Sequence, residues 1–240
     1  MSKPSFVLRR PASIAACIAL GVLTSASAHA AGSVVISQAY GGGGNSGAVY
    51  TNDFVELFNR GSAPVSLAGW AVRYAGGTGT GNFGSNATLL AALPNVTPQP
   101  GQYFLLQLAA GGTAAGTLPT PDATGTINMS GTAGKVALVR SAGGLGCNGG
   151  SAACSPAQLA LIEDLVGYGT ANFFEGSAAA PATTNSTAVL RAGGGCTDTD
   201  ANSADFATGA PLPRNAAPPM ACVRHWIHRA PSSVRCWRWR

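Results

Sequence analysis

The feature that most constrains this chain is a series of short apolar or alternating runs without helical periodicity. They are SVVISQAY (33–40), DFVELFN (53–59), VSLAGWAVRYA (65–75), GQYFLLQL (101–108), GKVALVR (134–140), EDLVGYG (163–169) and STAVLR (186–191). Clusters of Gly, Pro, Asn and Ser separate them. Short strands bounded by turn residues are the pattern of an all-β sandwich. One helix start stands out, SPAQLALIED, where Ser155 suits the cap and Pro156 the first turn. It predicts a turn or two of helix leading into a strand. The low-complexity stretches 76–87 and 109–125 are too long for plain hairpins. They belong on the surface, where main-chain polar groups meet water.

The two ends read differently from the middle. Lys3, Arg9 and Arg10 precede the apolar stretch IAACIALGVLTSA, and small residues around Ala30 offer a cleavage site. That three-part order is an export signal, residues 1–30. It is too short to span a membrane, so no transmembrane segment is expected, and the product is placed outside the cell or at its surface. The tail, residues 223–240, is VRHWIHRAPSSVRCWRWR, with five Arg and three of the four Trp. One reading is a basic aromatic tail for membranes or nucleic acid. The other is an out-of-frame segment: WRWR written with CGN codons and shifted by one base gives Gly-X-Gly, the composition found upstream. On that reading the frame shifts near Cys222, and the chain is the front part of a longer exported protein.

The formal charge of +5 therefore misleads. Residues 31–222 hold six Lys/Arg against nine Asp/Glu, a net of −3. A mildly acidic domain is a poor match for a phosphate backbone, so nucleic acid is not expected as a partner of the core. These residues are long enough for one domain with a sizeable core. They carry four cysteines, Cys147, Cys154, Cys196 and Cys222. An even count in an exported chain predicts disulfides. Of three connectivities we favour Cys147–Cys154 with Cys196–Cys222, since each closes one local irregular loop. Zinc is not expected, because short CxxC pairs are missing and the core has no His.

The absence of His in residues 31–222 removes Ser-His-Asp and Cys-His chemistry. Lys135, in AGKVAL, reads as a solvated residue near a strand edge. The carboxylates Asp53, Glu56, Asp122, Glu163, Asp164 and Glu175 form no acid/base motif. No catalytic residue and no organic cofactor are predicted. Glu56 alternates with Phe54 and Phe58, so it shares their face and reads as structural. If that face is buried it needs a cation, and Arg73 or Arg191 is the expected type. The glycines of GGGGNSG (41–47) lack the Lys and the following helix of a phosphate cradle, and predict a loop between the first two strands. CTDTDANSAD spaces Asp198, Asp200 and Asn202 like the first ligands of a calcium loop, with Asp205 nearby. Ser203 stands where the turn glycine belongs and Gly209 where the bidentate Glu belongs. Calcium and a self-satisfied Asx-rich loop are both open readings.

NDFVELFNRGSAPVSLAGWAVRY is where the sequence resembles a known family. The apolar-Glu-Leu-x-Asn strand, the GSAPVSL turn and the Gly-Trp opening of the next strand look like the lamin-tail domain. The exported bacterial branch is the closest in character, and the likeness runs over Ser33–Asn215. It implies an immunoglobulin-like β-sandwich over residues 31–222 and a non-catalytic binding or accessory role. A structural or adhesive role is the alternative. Relatives of this type often precede other domains, some of the endonuclease/exonuclease/phosphatase kind. The partner is then an unidentified ligand, a cell-surface component or a domain downstream. Trp70, the one Trp of the core, is expected in a strand as an inter-sheet packing residue.

Overall fold

The computed structural model describes residues 32–113 and 115–218. The expected export signal, the tail and Cys222 lie outside the described residues. Ten strands follow one another: β1 (Val34–Tyr40), β2 (Asn52–Asn59), β3 (Ala71–Gly76), β4 (Leu90–Ala92), β5 (Tyr103–Ala110), β6 (Ala123–Thr124), β7 (Gly134–Val139), β8 (Ile162–Tyr168), β9 (Ala188–Arg191) and β10 (Phe206–Gly209). They form two sheets, β10-β9-β1-β2-β5-β6 and β4-β3-β7-β8. Apart from the parallel β5–β6 pair, the ladders are antiparallel. The fold is an all-β sandwich, as the run pattern predicts, and of the immunoglobulin-like type that the resemblance implies. Each of the seven expected runs contains a strand. The short β4, β6 and β10 were not expected.

Val34, Ile36, Val55, Leu57, Val72, Leu106, Val136, Leu138 and Val166 fill the space between the sheets. The outer faces are covered as well. Tyr40, Phe54 and Leu105 cluster on the outside of the larger sheet, and Ala75, Phe83, Ala137 and Leu165 on the outside of the smaller. Burial on both faces explains why β1 and β7 are buried along their whole length.

A register shift in β1 between Ile36 and Gln38 marks a bulge at Ser37. An extra residue in one strand re-aims the side chains around it. Here it brings Ser37 Oγ and Gln38 Nε2 to the same carboxylate, that of Glu56.

Two expectations need correcting. Trp70 is only half-buried and precedes β3 rather than lying in it. Gly69, with φ of 77° in the left-handed region, turns the chain just before it; Trp70 still packs against the inter-sheet core, in which Leu67 is fully buried. Lys135 is not solvated but wholly enclosed in β7, an interior strand of its sheet.

The expected helix is α1 (Pro156–Leu159), where Ser155 and Gln158 form a reciprocal capping box. It follows the Cys147–Cys154 disulfide. The loop this bridge closes is short, so Cys154→Ser should cost about 2–3 kcal/mol by chain entropy. Urea denaturation of the variant checks it.

Candidate functional site

The charged groups concentrate where the open corner of the sandwich is closed, between β1 of one sheet and β8 of the other. β9 pairs with β1 only at Gln38 and Ala39, leaving the main chain of Ile36 without a strand on that side. Side chains take the strand's place. The Ile36 N–H donates to Asp164 Oδ2 at 2.6 Å, and Arg191 Nε donates to the Ile36 carbonyl at 3.0 Å. Arg191 then grips Asp164 with Nη2, at 2.7 and 2.8 Å to the two carboxylate oxygens. Its Nη1 lies 2.8 Å from Asp198 and 3.5 Å from Asp205. The guanidinium also stacks on the Phe206 ring, 4.4 Å from its centroid. All four charged groups are essentially enclosed.

Asn202 treats the edge of β8 in the same way. Its Oδ1 accepts from Gly167 N–H at 2.8 Å, and its Nδ2 donates to the Leu165 carbonyl at 2.9 Å. Glu175 completes this edge by accepting from Leu165 N–H and from Asn202 Nδ2, both at 3.2 Å. An exposed strand edge invites unwanted pairing, and here two side chains occupy it.

The residues expected to bind calcium are thus distributed among separate tasks. Asp198 faces Arg191, with Arg60 3.7 Å away. Asp205 accepts from Thr199 N–H and Thr199 Oγ1, each at 2.8 Å, and braces its own loop. Asn202 is turned to β8. Asp200 adopts a left-handed φ of 53° in the turn. The carboxylates that do converge among the described residues are Asp164, Glu175 and Asp198, whose oxygens lie within 4.8 Å of one another. The cationic position beside them belongs to Arg191.

The sequence placed Asp164 and Glu175 among the carboxylates, and for a buried Glu56 it pointed to a cation such as Arg73 or Arg191. Glu56 is in fact held by Arg214, whose Nη2 lies 2.7 Å from Oε1 and whose N–H donates to Oε2 at 2.6 Å. Neither Arg73 nor Arg191 serves it. Of the expected disulfides, Cys147–Cys154 is formed. Cys196 is exposed and bridged to no other cysteine among the described residues; its expected partner Cys222 lies outside them.

Asp53 performs a related task at the other end of β2. It accepts from Gly43 N–H and Met129 N–H, both at 2.8 Å, and so pins the glycine-rich loop to the neck before β7. The Cβ of any residue but glycine at position 43 would fall 2.2 Å from the Asn52 carbonyl carbon, so that glycine is required by close approach.

The family that matches the chain is Lamin Tail Domain, over residues 27–149. The chain belongs to the lamin tail domain family. Within the described residues the match takes in β1 to β7 and ends just past Cys147. β8 to β10, with the Arg191 cluster, complete the same sandwich beyond it. A comparison with curated proteins returns no match. Among the described residues no helix is long and apolar enough to cross a membrane.

The electrostatics of this lamin tail domain give a pH dependence. Burial, opposed by the two N–H bonds, pushes Asp53 from 3.8 up to about 6. Burial and the negative Asp164, Asp198 and Asp200 push Glu175 from 4.5 up to about 9, with Arg191 offsetting part of the shift. Both carboxyls hold their proton more tightly folded than unfolded, so stability falls as pH rises through each window. One such group gives a slope of up to about 1.4 kcal/mol per pH unit. Thermal melts between about pH 5 and about pH 9 should show a falling Tm, and Glu175→Gln should flatten its upper part. A Tm that rises over this range would contradict the assignment.

Proposed function

We propose that this lamin tail domain acts as an exported, non-catalytic binding or accessory module. The observation that carries the reading is the commitment of its carboxylates. Asp53, Asp122, Asp164 and Asp205 accept main-chain N–H bonds, and Glu56, Asp164 and Asp198 are paired with arginine. General acid–base work needs a carboxyl within reach of a substrate, and these reach into the fold instead. Export, in the manner of the bacterial branch that the sequence resembles, is supported by the three-part N-terminal pattern. The local disulfide also suits an oxidising compartment. The exposed loops are the binding surface on this reading, since a sandwich of this kind leaves recognition to its connections.

Expression of the full chain in a bacterial host, followed by N-terminal sequencing of the extracytoplasmic product, tests export. The expected mature terminus is Ala31, and an uncleaved product confined to the cytoplasm would sink that half. Screening the purified product against glycans, DNA and calcium tests the module. Nuclease or phosphatase turnover that survives repurification would overturn the non-catalytic reading.

A further inference from the structure

Away from the acidic cluster, the molecule buries two cations on the outer face of the β4-β3-β7-β8 sheet. Arg73 of β3 and Lys135 of β7 are both fully enclosed. Arg73 pairs with Ala137 and Ala75 with Lys135, which makes the two cations diagonal neighbours on adjacent strands. Among the described residues neither forms an ion pair with a carboxylate. Their situations then diverge. Lys135 Nζ donates to the Asn148 carbonyl at 3.0 Å and to Asn172 Oδ1 at 2.9 Å. Arg73 has one acceptor, the Ser141 carbonyl, 2.7 Å from Nη2. Its Nε and Nη1 have none among the described residues.

A buried ammonium can escape its cost by losing a proton, but a guanidinium in a protein cannot. Buried polar groups are paired as a rule, and an enclosed cation with open donors calls for a negative partner. The fold supplies none from its own acids, which are committed elsewhere. The cover over Arg73 is rich in glycine, though Asn148 Nδ2 holds the Thr80 carbonyl at 2.9 Å and Gln158 Nε2 the Leu145 carbonyl at 2.6 Å. This cover is made of two segments, GTGTGNFGSN (77–86) and SAGGLG (141–146). They are tied by Leu145 N–H donating to the Phe83 carbonyl at 3.4 Å, and Phe83 N–H donates to the carbonyl of Cys147, just past the second segment, at 2.9 Å. Gly84 rests directly on the arginine stem, where an added Cβ would lie 3.3 Å from Arg73 Cδ. At Gly81 an added Cβ would meet nothing, so close packing does not demand that glycine.

We propose that Arg73 is the floor of an anion-binding site for a small oxyanion, which reaches the guanidinium when the glycine-rich cover opens. The Nε–H and the two Nη1 hydrogens offer the planar set of donors that phosphate, sulfate and carboxylate groups accept. One cationic socket in a domain of net negative charge suits a compact anion and not a polyanion. The site is independent of export and of whatever the exposed loops hold.

The test is a titration of the full-length ¹⁵N-labelled chain with phosphate, sulfate or acetate, against chloride at matched ionic strength. The readouts are arginine Nε–H resonances and Tm. The expected result is a saturable shift of one Nε–H resonance, the one missing from Arg73→Lys, and a Tm that rises with the same anion. In Arg73→Met the Tm response is lost. A response to phosphate or sulfate identifies a free inorganic oxyanion, and a response to acetate alone identifies a carboxylate-bearing partner. Spectra and Tm that are the same in all four salts overturn the site. So does a saturable Tm response that persists in Arg73→Met. If Arg73→Met does not fold, the wild-type titration and the Arg73→Lys spectrum decide by themselves.

Discussion

Arg191→Met should destabilise the domain by about 3–5 kcal/mol, enough to leave a domain of ordinary stability close to unfolding. Arg191 binds Asp164 through both carboxylate oxygens, Asp198 through Nη1 and the main chain of β1 through Nε. Removing it strands at least two enclosed carboxylates, and the loss of one partner from a buried pair costs far more than the pair contributes. Met retains much of the volume, so the loss reports charge and hydrogen bonding more than a cavity.

Arg191→Lys should rescue little, because one ammonium cannot span Asp164, Asp198 and the Ile36 carbonyl from a single position. The Met variant should regain part of its stability at low pH, where protonated carboxyls no longer need the cation. Urea denaturation at about pH 5 and about pH 8 makes the comparison. A loss below about 1 kcal/mol would mean that the corner is closed by packing and not by this cation.

The parts legible in the sequence were those governed by local pattern. β1, β2, β5 and β7 announce themselves because both of their faces are buried and their runs are nearly continuous. The α1 start was legible because a cap residue followed by proline is a local motif; the reciprocal part played by Gln158 was not read. β4, β6 and β10 were not, since two to four residues carry no periodicity. Trp70 was placed too deep because Gly69 was read as part of a strand and not as the turn before it. AGKVAL looked solvated because the segments that roof Lys135 come from elsewhere in the chain. The calcium-like spacing around Asp198 is local, whereas the tasks of its residues are set by Arg191 and the edge of β8. Sequence spacing does not reveal a partner supplied by another strand.

The second large effect is expected at Glu56, whose partner was the least visible of all. Arg214 lies 158 residues away, in the proline-rich segment APLPRN. That segment straps the outer face of the larger sheet. Leu212 N–H and carbonyl bond the Gln38 side chain, Arg214 bonds Glu56 and stacks 3.8 Å from the Tyr103 ring centroid, and Ala216 N–H donates to Asp122. Glu56 is fully enclosed, while the Arg214 side chain is 38% exposed. The two truncations should therefore be unequal. Arg214→Ala leaves a buried charge with only Ser37, Gln38 and the main-chain N–H of position 214, no longer a cation, and should cost about 3 kcal/mol. Glu56→Gln lets the arginine turn to water and should cost about 1 kcal/mol. The double variant should be less destabilised than the sum, since removing the charge removes the need for its partner. Arg214→Ala should also free the strap, so limited proteolysis would cut after β10 while the sheets stay intact. Equal costs for the two single variants would show that the strap is held by its main-chain bonds, with Glu56 satisfied from within β1.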